Sequence, residues 1–307
     1  MANLKDIKSR IKSIENTKKI TRAMKMVAAA KVKKSENAAK STRPYSEALV
    51  RIFQKLVDSV QNNSNEHLKF SHAIENYPQL LSKRDVKTVG MLVVTSNKGL
   101  AGAYNSNIVR NVLKAIKEYK EKNIEVKLFI VGQKGISGLK RKAEAMSVEI
   151  VKTYTKVINE ISPTGAEGVA EDLAESYILG EIDKVEIFTT KFRNMMSYSA
   201  QKWDLIPVSV EKKENDNLQI DPLMVFEPSQ EYILQKIMPM YLTNTIYHAL
   251  LEAQASELAS RMTAMSAASK NAEDMIRTLT VDYNKARQYA ITQEILEVVS
   301  GADAIKG

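Results

Sequence analysis

Residues 251–290 read LEAQASELASRMTAMSAASKNAEDMIRTLTVDYNKARQYA. Every seventh residue from Leu251 gives Leu258, Met265, Ala272, Leu279 and Ala286; the interleaved set from Ala255 gives Met262, Ser269, Ile276, Tyr283 and Ala290. Ser269 is the polar interruption of this double track. Apolar positions in steps of three and four, held this long, predict a helix wound into a left-handed coil with a partner. At about 1.5 Å per residue the stretch is ~60 Å long. The helix is expected over 229–304, with Pro239 as an irregularity near its start.

The partner is found at the other end of the chain. Leu4, Ile7, Ile11 and Ile14 recur at helical spacing, and the track continues through Ile20, Met24, Val27, Ala30 and Ala38 to Tyr45, Leu49, Ile52, Leu56 and Val60. Glycine is absent from the first 89 residues, Pro44 is expected to kink the helix or open its last segment, and the polar run Gln61 to Glu66 ends it, which bounds a helix at 1–60. Each long helix must bury its stripe, and the other is the nearest surface able to cover it. They are expected to pair antiparallel, the longer C-terminal one overhanging as a single helix.

Between them, 75–225 reads as an α/β head. Val86–Thr95, Glu125–Val131 and Lys184–Thr190 are β-branched runs that predict buried strands, and helical patterns at 107–122, 134–145 and 164–179 alternate with them. That alternation predicts a mostly parallel sheet with helices on both faces. Gln201–Pro228, with three prolines and the acidic-polar run Glu211–Asn217, reads as irregular loops and a short hairpin.

Composition narrows the chemistry. The 307 residues include no cysteine and three histidines, which excludes thiol nucleophiles and disulfides and makes a metal centre an unexpected feature. No run approaches the ~18 apolar residues of a membrane span. The net charge of +9 is concentrated: residues 1–60 hold 15 Lys and Arg against 5 Asp and Glu, whereas 231–307 hold 7 against 9. The excess thus lies along the N-terminal helix and calls for an acidic or polyanionic partner.

Four constellations are candidate sites. Ser96–Asn105, containing Gly99 and Gly102, follows a strand and precedes a helix, where phosphates bind in many α/β folds; it matches neither the dinucleotide nor the phosphate-loop spacing, so a structural turn is the simpler reading. Ala23–Ala30 is apolar at every angle of its helix, more than one coil partner can bury, so either a socket in another protein or the chain's own domain takes the rest, the socket being the expected one because the tip of a shaft lies far from the domain. Arg287, Gln288, Thr292 and Glu294 fall on neighbouring turns of the tail, either solvated or forming directional hydrogen bonds to a partner. The fourth, a basic stripe including Lys18, Lys19, Arg22, Lys25, Lys31, Lys33 and Lys34, is either a solvated face or one matched by an acidic protein surface. A nucleotide-binding enzyme using the glycine loop and a basic coiled-coil nucleic-acid binder are the competing classes; scarce aromatics and the mildly acidic C-terminal helix count against the second.

Ile20-Thr-Arg-Ala-Met-Lys-Met-Val-Ala-Ala-Ala-Lys31, Tyr283-Asn-Lys-Ala-Arg-Gln288 and Ile291-Thr-Gln-Glu-Ile-Leu-Glu-Val-Val-Ser-Gly-Ala302 closely resemble the ATP synthase gamma subunit family, bacterial type. The similarity runs from end to end, and Gly99-Leu-Ala-Gly-Ala-Tyr-Asn105 looks like that family's strand-to-helix loop. The resemblance implies a non-catalytic central rotor shaft, one copy per complex, turning inside a threefold ring of alpha and beta subunits and coupling ion flow to ATP synthesis or hydrolysis. It implies that Met24, Lys25, Met26 and Lys31 meet the ring's sleeve, and that Arg287, Gln288, Thr292 and Glu294 catch its loops. The head is expected to contact the membrane c-ring and the epsilon subunit, with Phe226 and Glu227 near that contact, and the delta subunit completes the assembly. No cofactor or metal is expected on this chain, since nucleotide and magnesium belong to the ring, and no nucleic acid. The implied location is the cytoplasmic face of the cell membrane, held peripherally.

Overall fold

The computed structural model describes residues 4–62, 80, 84–195, 197–208, 227 and 230–306. The chain divides into two compact units. One comprises Met1–Ala30 with Arg261–Gly307, the other Lys31–Ser260. Two helices contribute to both: α1 (Leu4–Asn62) and α5 (Gln230–Lys306). Each remains helical through its proline, Pro44 in α1 and Pro239 in α5.

The larger unit is built on a five-stranded sheet in the order β3-β2-β1-β4-β5. Its strands are β1 (Thr88–Val94), β2 (Glu125–Val131), β3 (Glu149–Tyr154), β4 (Lys184–Asn194) and β5 (Ser197–Ile206). The first four are mutually parallel, and β5 runs antiparallel to β4. The strands are joined by α2 (Tyr104–Glu121), α3 (Gln133–Ala145) and α4 (Pro163–Ile178).

Strand alternation sorts the side chains into two layers. Val89, Met91 and Val93 of β1 pack with Ile108, Val112 and Ile116 of α2 and Leu139 of α3. Leu92 and Val94 face the opposite layer, where they join Leu173 and Tyr177 of α4 and Leu234, Met238, Leu242 and Ile246 of α5. Helices therefore cover both faces, as the alternating pattern predicts. Phe53 of α1 stacks on Tyr241 of α5 with ring centroids 4.9 Å apart, tying the helix pair to the body.

Two strands escape the sequence reading. β3 lies at the sheet edge with no fully buried residue, so its sequence EIVKTY lacks the apolar run of an interior strand. β5, the opposite edge, begins inside a stretch with no strand signal and carries Ser, Gln, Lys and Asp across much of its length. Edge strands tolerate this because one side pairs with water rather than with another strand. β5 also replaces the first part of the loop region expected from Gln201. The helices begin up to three residues earlier than their patterns indicate: α2 at Tyr104, α3 at Gln133 and α4 at Pro163, where Ser162 caps the helix by accepting from the Gly165 N–H.

One turn depends on glycine. Gly132, between β2 and α3, has φ +93°, and a Cβ there would lie 2.2 Å from the Thr95 carbonyl oxygen. Thr95 Oγ1 donates to the Val131 carbonyl at 2.8 Å and accepts from the Gly135 N–H at 2.8 Å, so the tops of β1 and β2 and the start of α3 close on one buried hydroxyl.

Candidate functional site

In the smaller unit, α1 residues 4–30 and α5 residues 261–306 pair antiparallel. Thr21 and Ser269 share a hydrogen bond between their hydroxyls at 2.7 Å. Lys18 Nζ lies 3.0 Å from Glu273 Oε1, and that contact, first by hydrogen bond and then by charge, holds the Glu273 carboxyl below its ordinary range. The polar interruption at Ser269 is thereby answered across the seam. The seam itself follows the double heptad: Met265 and Ala272 are buried, while Ile276, Leu279, Tyr283, Ala286 and Ala290 are half-buried among exposed neighbours.

The same pairing fixes where the coil ends. Residue numbers facing one another sum to about 290, so Leu4 reaches to the neighbourhood of Ala286. α5 continues to Lys306, about 20 residues or ~30 Å farther. Along this overhang Tyr289, Ile291, Ile295, Leu296, Val298 and Val299 are exposed, Tyr289 at 72% and Val298 at 71%. The sequence reading overlooked this apolar tip, because its exposure shows only once the register of the described residues places it beyond Leu4.

A second exposed apolar group lies on α1. Ile20, Met26 and Val27 are exposed, Met26 at 60%, whereas Ala28 is buried and Met24 half-buried. Lys25 is exposed beside them. The helix pair thus buries one flank of Ala23–Ala30 and leaves the other open. Arg287, Gln288, Thr292 and Glu294 are all exposed on the overhang. Arg287 and Glu294, seven residues apart, share one face; Gln288 and Thr292, four apart, share another, and Thr292 Oγ1 donates to the Gln288 carbonyl at 2.9 Å. The structure does not gather the α1 and α5 groups into one patch: by the register they are separated by roughly 30 Å along the coil. The basic stripe is also not uniform, since Lys18 is drawn to Glu273 whereas Lys19, Arg22 and Lys25 are exposed.

The remaining candidates belong to the larger unit. Lys31, Lys33 and Lys34 are exposed on α1, and Glu227 is exposed; Phe226 lies outside the described residues. The glycine loop is held by its own polar groups. The Ser96 N–H donates to Asn105 Oδ1 at 3.0 Å, Asn105 Nδ2 donates to Ser96 Oγ at 2.9 Å, and Ser96 Oγ donates to the Lys98 carbonyl at 2.7 Å. In an open α/β sheet, ligands enter beside the carboxyl ends of strands where the order reverses, here between β1 and β4. α5 reaches the loop at that end: Ser260 Oγ donates to the Ala101 carbonyl at 2.6 Å and is itself 2.9 Å from the Tyr198 hydroxyl. Among the described residues no group of three or more His, Cys, Asp and Glu is placed to hold a metal ion.

A charged centre that periodicity does not reveal lies inside the sheet. Glu186 on β4 is fully buried, and its Oε1 accepts from the Tyr119 hydroxyl at 2.5 Å, Lys184 Nζ at 2.8 Å and Lys202 Nζ at 3.0 Å. Lys184 also reaches Asp204 at 2.9 Å. Burial pulls the Lys184 ammonium toward lower pKa, but hydrogen bonds and charge from Asp204 and Glu186 outweigh it and hold the group above the ordinary lysine range. The centre ties the antiparallel edge strand and α2 to β4.

The larger unit is an α/β body on a mostly parallel sheet, and the smaller unit is an antiparallel pair of helices, α1 and α5. The family described as ATP synthase matches residues 3–305. An ATP synthase gamma chain of Synechococcus sp. (strain JA-3-3Ab) is 38% identical over 331 residues, covering 99% of this chain and 100% of the relative. One from Nostoc punctiforme is 38% identical with the same coverage. The chain therefore belongs to the ATP synthase gamma-chain family. The central stalk and c-ring structure of the Tetrahymena thermophila mitochondrial ATP synthase contains a chain with a TM-score of 0.60 at 27% identity, covering 81% of this chain and 99% of that one. The rotational-state-3 structure of the Euglena gracilis mitochondrial enzyme matches at 0.65 and 16% identity over 98% of this chain and 94% of that one, which shows the shared fold.

Proposed function

We propose that this chain is the central rotor shaft of an F-type ATP synthase, coupling ion movement through the membrane ring to ATP synthesis or hydrolysis in the alpha–beta ring. The observation that carries it is the tip of α5, whose apolar side chains Tyr289, Ile295, Leu296 and Val298 are exposed beyond the register of the described part of α1. An exposed apolar surface of this kind marks a contact with a partner. A sleeve in the catalytic ring provides one, and the half-open collar at Met24, Lys25 and Met26, with Lys31 beyond it, is a second place where the ring bears on the shaft.

The mechanics follow from asymmetry. A shaft that presents different faces to three equivalent catalytic subunits stabilises a different conformation in each, so turning it moves every site through a cycle of nucleotide affinities. Arg287, Gln288, Thr292 and Glu294 act as the directional catch on ring loops, and the exposed lysines of α1 follow acidic segments of the same subunits. The parts are the N-terminal helix α1, the α/β head and the C-terminal helix α5. The head bears on the c-ring and the epsilon subunit, Phe226 and Glu227 lie at that contact, and delta belongs to the same complex.

On this reading the chain makes and breaks no covalent bond and holds no nucleotide or metal of its own. The self-bonded glycine loop and the approach of Ser260 to Ala101 support that assignment. Among the described residues no helix is long and apolar enough to cross a membrane. Attachment to the cytoplasmic face is thus peripheral, through the membrane ring. Reconstitution tests the proposal: purified chain added to matching alpha and beta subunits is expected to enter the ring as one copy and to make ATPase activity depend on it. Failure to associate or to change activity would overturn it.

A further inference from the structure

The head has a near-neutral total charge that conceals a polarised surface. Between Lys98 and Glu144 the chain carries eleven Lys and Arg against four Glu, whereas residues 61–230 as a whole are nearly balanced. Most of this excess lies on α2 and α3, the helical layer on the side of the sheet away from α4. Elsewhere lysines find acids: Lys114 approaches Glu118 at 3.8 Å on α2, and Lys127 of β2 approaches Glu149 of β3 at 3.7 Å.

An open groove of about 520 Å³ runs between α2 and α3. Arg110 and Ser106 line it from α2, and Lys134, Ser137 and Lys142 from α3. Its floor is apolar, made by Val109 and Leu113, and Gly138 lets the helices approach: a Cβ there would meet Val109 Cγ2 at 3.1 Å. No carboxylate lines the groove, and none of the three cations is ion-paired with a described residue. Three cations converging on one groove repel one another, at a cost that an anionic occupant would turn into attraction.

We propose that this groove docks an acidic segment of another subunit of the assembly, with carboxylates on Arg110, Lys134 and Lys142 and an apolar side chain on Val109 and Leu113. An open groove with a basic rim and an apolar floor suits an amphipathic acidic peptide, since the rim sets orientation and association rate while the floor supplies buried area. A free phosphate compound would need a more enclosed site. The proposal adds a contact to the rotor reading and rests on the chain being part of the complex.

The test is zero-length cross-linking of the intact purified complex with a carbodiimide, followed by mass spectrometry. The reagent joins only amines and carboxylates already in contact, and the exposed pair Lys152–Asp172, 2.7 Å apart, is the internal control. Lys134 or Lys142 is expected to be joined to an Asp or Glu of another subunit. Arg110→Glu, a change at an exposed position, is expected to lower the yield about tenfold by like-charge repulsion. Formation of the control link with neither lysine joined to another subunit would overturn the proposal. Protection of both lysines from acetic anhydride by inorganic pyrophosphate, without such a cross-link, would overturn it in favour of a phosphate-bearing ligand. Absence of the chain from the purified complex would instead refute the rotor reading.

Discussion

Replacing Arg287 and Gln288 together by Ala separates a role in the catalytic ring from a role in the fold. Both residues are exposed. Alanine is the best helix former, and exposed substitutions of this kind change stability by no more than about 0.5 kcal/mol. The local hydrogen bond also survives, because Thr292 donates to the main-chain carbonyl of residue 288. The helix and the coil should therefore melt as in the unaltered chain. In the assembled complex, a hydrogen bond to a charged group contributes about 1.5–3 kcal/mol, or roughly 10- to 150-fold in the step it serves. A catch on an exposed helix rehydrates when released, which places the loss at the lower end, about tenfold in ATP synthesis and hydrolysis. The assay is steady-state ATPase and synthesis by reconstituted complex, with circular dichroism melting of the free chain. Unchanged turnover would refute the catch; lost turnover together with lost helicity would refute the claim that these residues serve the partner rather than the fold.

Four further outcomes rest on contacts elsewhere in the fold. Glu186→Ala leaves the Tyr119 hydroxyl and Lys184 without their shared acceptor, but Lys184 keeps Asp204 and Lys202 can rehydrate, so denaturant titration should show a loss of about 2–4 kcal/mol, with Glu186→Gln costing less. The raised Lys184 pKa adds a sign: its stabilisation is fully present below the ordinary lysine pKa and is lost as pH rises through the raised value, so strongly alkaline titration should destabilise the unaltered protein more steeply than Glu186→Gln. Thr21→Val with Ser269→Ala removes both partners of the seam hydrogen bond; a double-mutant cycle on thermal melting should give a coupling of about 0.5–1.5 kcal/mol, and zero coupling would contradict the pairing. Gly132→Ala places a Cβ against the Thr95 carbonyl at a positive φ, and should destabilise the head by more than about 2 kcal/mol in the same titration.

The long helices and the parallel part of the sheet were legible because their signals are periodic and strong. The double heptad from Leu251 predicted which residues of α5 turn inward, and three buried strands announced themselves as β-branched runs. The edge strands were not legible: β3 and β5 are half-solvated, and edge positions place little demand on sequence. Glu186 looked like one charged residue in an apolar strand, and only the fold brings Tyr119, Lys184 and Lys202 to it. The candidate site was half visible. Met24, Arg287 and their neighbours were marked by resemblance and by an apolar surplus, but the exposed apolar tip at Ile295, Leu296 and Val298 depends on the register of the described residues. The basic layer on α2 and α3 was hidden by averaging, since acids elsewhere in the head cancel its charge in any regional sum.

The most direct test of the rotor account is to watch the chain turn. Because the sequence contains no cysteine, Glu175→Cys on the exposed side of α4 gives a single attachment point for a visible probe. With the alpha–beta ring fixed to a surface and ATP supplied, the probe is expected to rotate in one direction with three resting positions per turn, one for each catalytic subunit. A probe that stays still while the same immobilised complexes hydrolyse ATP would contradict the account.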